Sequence, residues 1–263
     1  MHELAFVLAG FVVGLIVGLT GVGGGSLMTP ILIFLFGVKP YLAVGTDLLF
    51  AAFTKMGGTV KLARSGRVDW RIVANLSAGS IPASLVTLYT LRTLGAASAD
   101  VQHLMTTTLG FALLLTAAAT LYKALRGSKP RLVVTDAELV EAIRPRHWSL
   151  PVLFGALIGS LVTLTSVGAG AIGVTVLLLL YPLLPLPRIV AADIAYAVPL
   201  TLVAGLGHAS LGSVDWHLLV TLLAGSLPGI WLGSHLMSKT PERLIRSLLS
   251  VLLAYAGTKL LAL

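Results

Sequence analysis

Cysteine is absent from all 263 residues, which excludes disulfides, thiolate metal sites and cysteine nucleophiles. Charge is scarce as well: Asp, Glu, Lys and Arg make up 11% of the chain, against about 25% in a soluble globular protein. What fills the chain instead is apolar, with 57% hydrophobic residues and a mean hydropathy of +0.98. That is the composition of a chain whose main solvent is lipid, and it excludes an ordinary cytosolic enzyme. At ~20 apolar residues per span, the length allows roughly eight to ten membrane segments and leaves no room for a separate soluble domain. Acids are rarest: ten Asp and Glu against eighteen Lys and Arg give a net charge of +8. In a membrane chain basic residues gather in cytoplasmic loops, so their positions carry more information than their sum, and no nucleic-acid partner is implied.

Apolar runs fall at about 4–19, 26–37, 42–62, 71–91, 101–122, 150–164, 171–184, 189–207, 217–237 and 244–262. The first has no Lys or Arg ahead of it and no small-residue cleavage site after it, so it reads as a retained membrane segment. The first, second, sixth and seventh runs are short, and a helix of that length falls short of a ~30 Å hydrocarbon core. They read as half-helices or short tilted spans arranged in two hairpins. The one long polar stretch, 123–148, reads as a linker between residues 1–122 and 149–263.

Those two parts are copies. Gly14-Leu-Ile-Val-Gly-Leu-Thr-Gly-Val-Gly-Gly-Gly25 aligns with Gly159-Ser-Leu-Val-Thr-Leu-Thr-Ser-Val-Gly-Ala-Gly170, and Asp47 meets Asp193. Gly66-Arg-Val-Asp-Trp70 then meets Gly212-Ser-Val-Asp-Trp216, and Gly79-Ser-Ile-Pro82 meets Gly225-Ser-Leu-Pro228. The loop 61–71 carries Lys61, Arg64, Arg67 and Arg71, whereas its equivalent, 207–217, carries no Lys or Arg. Conversely the loop 92–100 has one Arg, while its equivalent near 239–246 has Lys239, Arg243 and Arg246. By the positive-inside rule the copies are oppositely oriented, with the 123–148 linker cytoplasmic and both chain ends outside. The predicted fold is therefore an all-α polytopic membrane protein of two inverted repeats, each a Gly-broken short-helix hairpin followed by three spanning helices. In such a fold the Gly-rich tips approach each other at mid-membrane.

Several glycines within six residues cost about 1 kcal/mol each against Ala in a helix, so the helix should break at Thr20, Gly21, Gly23, Gly24, Gly25 and Ser26, and again at Thr165, Ser166, Gly168 and Gly170. Non-helical backbone at membrane depth is tolerated only where protein buries it or where it lines a cavity. The helices restarting beyond each break would aim free N–H groups and positive dipole ends at an anion. The dull alternative is close packing through small residues, which Gly10, Gly14 and Gly18 and also Gly225, Gly229 and Gly233 certainly provide. Two clusters at matched positions favour a substrate site. Neither is a G-x-G-x-x-G or P-loop motif, so nucleotide binding is unsupported.

Asp47 and Asp193 are the only acids inside the apolar runs, and both lie beyond the first turn of helices starting near Pro40 and Pro187. An acid at that depth costs ~2.5–3.5 kcal/mol on insertion scales, which makes both proton-coupling candidates against a purely structural role. Lys55, eight residues after Asp47, is duplicated as Thr201; it either snorkels to the cytoplasmic face or ligates the anion. Ser80 and Ser226 precede mid-helix prolines that free a backbone carbonyl, giving each helix a bend and a polar seam. His103 and His208 near span ends read as interfacial, as do Trp70, Trp148 and Trp216. No metal-binding His spacing is present, and no cofactor is called for.

These ordered motifs, with the V-G-T-D and A-A-D-I segments, resemble the TauE/SafE family of sulfite exporters over nearly the whole chain apart from the linker. The resemblance implies a multi-pass plasma-membrane permease for sulfite, a sulfonate or a related organic anion, with lipid as its surroundings and a homo-oligomer as an open possibility. The alternative substrate is another small anion such as a carboxylate. An intramembrane aspartyl protease using Asp47 and Asp193 is the enzyme alternative, disfavoured because Gly-x-Gly-Asp is absent from both segments.

Overall fold

A computed structural model describes residues 2–20, 25–126, 149–236 and 242–262. Among them are ten α-helices and no strand: α1 His2–Thr20, α2 Gly25–Phe36, α3 Pro40–Arg64, α4 Trp70–Leu94, α5 Ala99–Arg126, α6 Ser149–Thr165, α7 Ala171–Leu180, α8 Leu186–Ser210, α9 Trp216–Leu236 and α10 Glu242–Leu261. Every apolar run of the sequence is a helix. Four of them, α4, α5, α8 and α9, are long and apolar enough to cross a bilayer by length and composition. The first break, Gly21 to Gly24, and residues 127–148 of the linker lie outside the described residues, as does Trp148.

Helix ends follow local chemistry. Pro40 occupies the first turn of α3, where its missing N–H has no intrahelical partner to lose. Asp69 caps α4 by accepting from the Arg71 and Ile72 amides at 3.0 and 3.4 Å, and Asp215 accepts from the Leu218 amide of α9 at 3.0 Å. The paired G-x-V-D-W segments are thus helix starters. Pro82 and Pro228 sit inside helices that continue past them.

Packing exchanges elements between the two halves. α1 packs on α9, and its equivalent α6 packs on α4; α3 packs on α8 and α5 on α10. A Cβ on Gly14 would meet the Ser226 Cα at 2.7 Å, and one on Gly159 would meet the Ser80 Cα at 2.7 Å. The GxxxG stripes of α1 and α9 are therefore each other's partners, and close backbone approach takes the place of hydrophobic drive inside lipid. α3 and α8 run antiparallel: Gly205 packs on Leu49, while Thr59 donates to the Ile194 carbonyl at 3.4 Å. Two buried apolar clusters fill the interior, one including Leu48, Leu76, Ile158 and Tyr196 and the other including Phe50, Met28, Leu109 and Leu222. Leu85, Val86 and Tyr89 on α4, Val220 and Trp231 on α9, and Leu248, Val251 and Tyr255 on α10 point outward. An apolar exterior of this kind suits acyl chains, not water.

Candidate functional site

α6 ends at Thr165 and α7 begins at Ala171, so the second break is observed where the sequence places it. Its five residues are all buried or half-buried, in keeping with the requirement that irregular backbone at membrane depth be enclosed by protein. Gly168 and Gly170 take φ of 136° and 130°, conformations open to a residue without a Cβ. Ser166 has φ 59°, the one non-Gly residue with positive φ among those described, a conformation that costs ~1–3 kcal/mol and persists only where surroundings enforce it.

The enforcement is visible in the hydrogen bonds. The Ser166 amide donates to the Val162 carbonyl at 2.7 Å, and the Thr165 hydroxyl accepts from the Val167 amide at 3.1 Å while donating to the Leu161 carbonyl at 2.6 Å. Beyond the break, the amides of Gly173 and Val174 donate back to Gly168 and Gly170 at 2.9 Å each. The amides of Gly168, Ala169 and Gly170 donate to no described residue. Thr165, expected to offer its hydroxyl to substrate, spends it on the backbone. Ser166 keeps its own: the buried Oγ has no hydrogen-bond partner among the described residues.

α3 supplies the charges. Asp47 is fully buried and accepts from the Thr29 hydroxyl of α2 through Oδ2; Oδ1 has no hydrogen-bond partner among the described residues, and the Ser166 hydroxyl of the opposite half faces the carboxylate. Two turns along, Lys55 is only 6% exposed and its Nζ donates to the Ala169 carbonyl at 3.3 Å. The snorkelling alternative is thus set aside, since the ammonium turns inward to the break. It interacts electrostatically with Asp193 as well as with Asp47. Asp193, on α8, packs against α7 so closely that a Cβ on Gly173 would clash with its Oδ1. The duplicate of Lys55, Thr201, merely bonds the Ala197 carbonyl of its own helix at 2.7 Å. The break at 166–170 is therefore flanked by Asp47, Lys55 and Asp193 together.

Other candidates lie elsewhere. Ser80 and Ser226 are buried at the α4–α6 and α9–α1 crossings, and Ser226 Oγ donates to the Leu223 carbonyl at 3.3 Å. Ser26 is in the first turn of α2 and half-buried; Thr20 and Gly25 close and open the helices around the first break. Gly21, Gly23 and Gly24 fall outside the described residues.

Two residues, Thr29 and Thr46, escape sequence reasoning, and a third, His208, lies elsewhere than expected. Thr29 was one apolar-run hydroxyl among many, with nothing local to pair it with Asp47. Thr46 accepts from the Asp215 amide at 3.0 Å, joining the V-G-T-D segment to the other half's G-S-V-D-W loop. His208, expected at the interface, is fully buried, and its Nε2 donates to the Thr163 carbonyl of α6 at 2.9 Å. His103 and the rings of Trp70 and Trp216 are exposed, as the interfacial reading requires. No group of three or more His, Asp or Glu able to hold a metal occurs among the described residues.

The chain is 33% identical to "Probable membrane transporter protein YjnA" of Bacillus subtilis (strain 168), covering 98% of this chain and all of that protein. Against "Probable membrane transporter protein YdhB" of the same organism identity is 25%, over 98% of this chain and all of the relative. No solved structure matches. The profile of the family described as sulfite exporter TauE/SafE matches residues 6–260. With that profile spanning both halves and both breaks, the chain belongs to the TauE/SafE family of membrane transporters.

Proposed function

We propose that this transporter moves a small sulfur-containing anion, sulfite or a sulfonate, out across the plasma membrane as a secondary transporter, with the anion held at the Gly-rich breaks. One observation carries this reading: the buried Lys55 ammonium donates to the Ala169 carbonyl within a segment, just before α7, whose Gly168, Ala169 and Gly170 amides donate to no described residue. Backbone N–H groups at a helix start, a hydroxyl and an ammonium are the donors that replace an oxyanion's hydration shell. The Ser166 hydroxyl, which faces the Asp47 carboxylate, would supply the hydroxyl on turning from that carboxylate to the anion. A proton carried by Asp47 or Asp193 couples the step to the proton gradient.

The halves are read as inverted about the membrane midplane. The antiparallel run of α3 and α8, which are equivalent helices, supports this, because a twofold relating them lies across their axes. Lys61, Arg64 and Arg67 then mark the cytoplasmic side, along with the linker, and the chain ends lie outside. Rocking of one half against the other would alternate access to the breaks.

Counterflow tests the proposal. Proteoliposomes loaded with unlabelled sulfite should accumulate radiolabelled sulfite above the level of protein-free liposomes. Uptake equal to protein-free liposomes for sulfite and for sulfonates alike overturns the substrate class.

A further inference from the structure

His208 reaches the second break from outside it, as Lys55 does. Its Nε2 donates to the Thr163 carbonyl at 2.9 Å, and the residue is fully buried. Thr163 stands two residues ahead of the end of α6, among the carbonyls that a helix leaves without an intrahelical amide. A carbonyl only accepts, so Nε2 carries the hydrogen, and Nδ1 is buried with no hydrogen-bond partner among the described residues.

The position of this bond matters more than its strength. If α6 continued, its next bonds would run from the Ser166 amide to Val162 and from the Val167 amide to Thr163. The first of them is made, at 2.7 Å. The second is replaced at both ends: the imidazole takes the Thr163 carbonyl, and the Thr165 hydroxyl takes the Val167 amide at 3.1 Å. Helical geometry stops at that step, and Ser166 turns to its positive φ directly beside it.

The ring is held from behind. A Cβ on Gly45 of α3 would press on the His208 Cβ and the Ser213 carbonyl, and the Ser213 amide donates back to the His208 carbonyl at 2.9 Å. On the receiving side the Thr163 hydroxyl donates to Ser84 of α4 at 2.8 Å, so the last turn of α6 is clamped between α4 and α8. In the first half the residues equivalent to His208 and Thr163 are Leu62 and Gly18, and a leucine side chain has no donor. The second break is thus gripped at two carbonyls, Thr163 by His208 and Ala169 by Lys55.

We propose that His208 is a positioning residue for the transported anion: by occupying the Thr163 carbonyl it fixes where α6 stops, and so aims the Ser166 hydroxyl and the 168–170 backbone at the anion. The inference rests on the anion-site reading above and deepens it. His208 acts through Thr163 and touches no anion itself. Without the ring, the Val167 amide can close the next helical bond and carry Ser166 out of its place.

The test is sulfite counterflow in proteoliposomes with three replacements of the ring. His208→Gln brings a side-chain amide to the place of Nε2, His208→Asn reaches only as far as Nδ1, and His208→Leu fills the space with no donor. Half-saturation should rise about tenfold in the Asn and Leu proteins and stay within about twofold of the unaltered value in the Gln protein, while the maximal rate per folded protein moves less. Thr165→Val, which releases the other partner of the same helical bond, should raise half-saturation too. A purely structural histidine would lower the melting temperature and leave half-saturation of the folded protein alone. Half-saturation that stays unaltered in folded His208→Leu, His208→Asn or Thr165→Val protein, or that rises equally in His208→Gln, overturns the positioning role while leaving the anion site standing. Absence of sulfite and sulfonate counterflow in the unaltered protein overturns the anion site itself, and this inference with it.

Discussion

Lys55 of the first half donates to the Ala169 carbonyl of the second at 3.3 Å, so the helix of one repeat holds the broken segment of the other. The relationship has no mirror image, because Thr201 turns back onto its own helix. Two halves built alike are thereby made chemically unequal at the second break, where the described chain leaves helical geometry between α6 and α7.

Removing the ammonium should therefore hurt recognition more than folding. Hydrogen bonds from charged groups contribute ~1.5–3 kcal/mol each, so Lys55→Met should weaken half-saturation for sulfite about tenfold or more. The protein should still extract as a folded species, because methionine is close to lysine's apolar stem in length and packs in its place. Concentration-dependent counterflow, paired with size-exclusion profiles, checks both statements. Unchanged half-saturation in a well-folded Lys55→Met protein would remove Lys55 from the site.

Thr29→Val should destabilise by leaving Asp47 short of its donor. The expected loss is ~1–3 kcal/mol, the cost of an unsatisfied buried acceptor. Thr29→Ser keeps the hydroxyl and should recover most of it. Thermal unfolding in detergent distinguishes the pair, and equal midpoints for the valine and serine variants would show that the bond contributes nothing.

Glycines divide by what surrounds them. A Cβ on Gly159 would press into the backbone at Ser80, whereas one on Gly57 would meet nothing within 4 Å. Gly159→Ala should thus cost ~1–3 kcal/mol through forced separation of α6 and α4. Gly57→Ala, inside α3, should be neutral or stabilise by up to about 1 kcal/mol through helix propensity. Melting temperatures that fall equally for both would contradict the assigned crossing.

Topology is open to a direct check, since the chain contains no cysteine. Arg67→Cys and Ser210→Cys both replace exposed residues at equivalent turns. In intact cells a membrane-impermeant maleimide should label the cysteine at 210 and spare the one at 67. Labelling of both from outside would sink the inverted arrangement.

Much of this architecture can be read from the sequence because the lipid environment leaves few choices. An apolar run in a bilayer must be helical, and each of the ten runs is, with ends shifted by a few residues where Asp69, Pro40 or a glycine dictates. The break after Thr165 is equally legible, since glycine clustering is a local property. Partnership across the halves is not. Nothing in the GxxxG stripe of α1 says that it meets α9, and nothing near His208 says that Thr163 covers it. Lys55 shows the same limit: helix spacing gives its distance from Asp47 but not the direction of its side chain, which a carbonyl from residue 169 decides.

The central claim is that an oxyanion sits at the second break within reach of Lys55. Anomalous diffraction from crystals soaked in selenite, a heavier analogue of sulfite, addresses it with no reliance on flux. The account predicts a selenium peak beside Lys55 Nζ and the backbone of Gly168 to Gly170, absent from crystals of Lys55→Met. Selenium found only against exposed arginines and lysines, with the break unchanged, would contradict it.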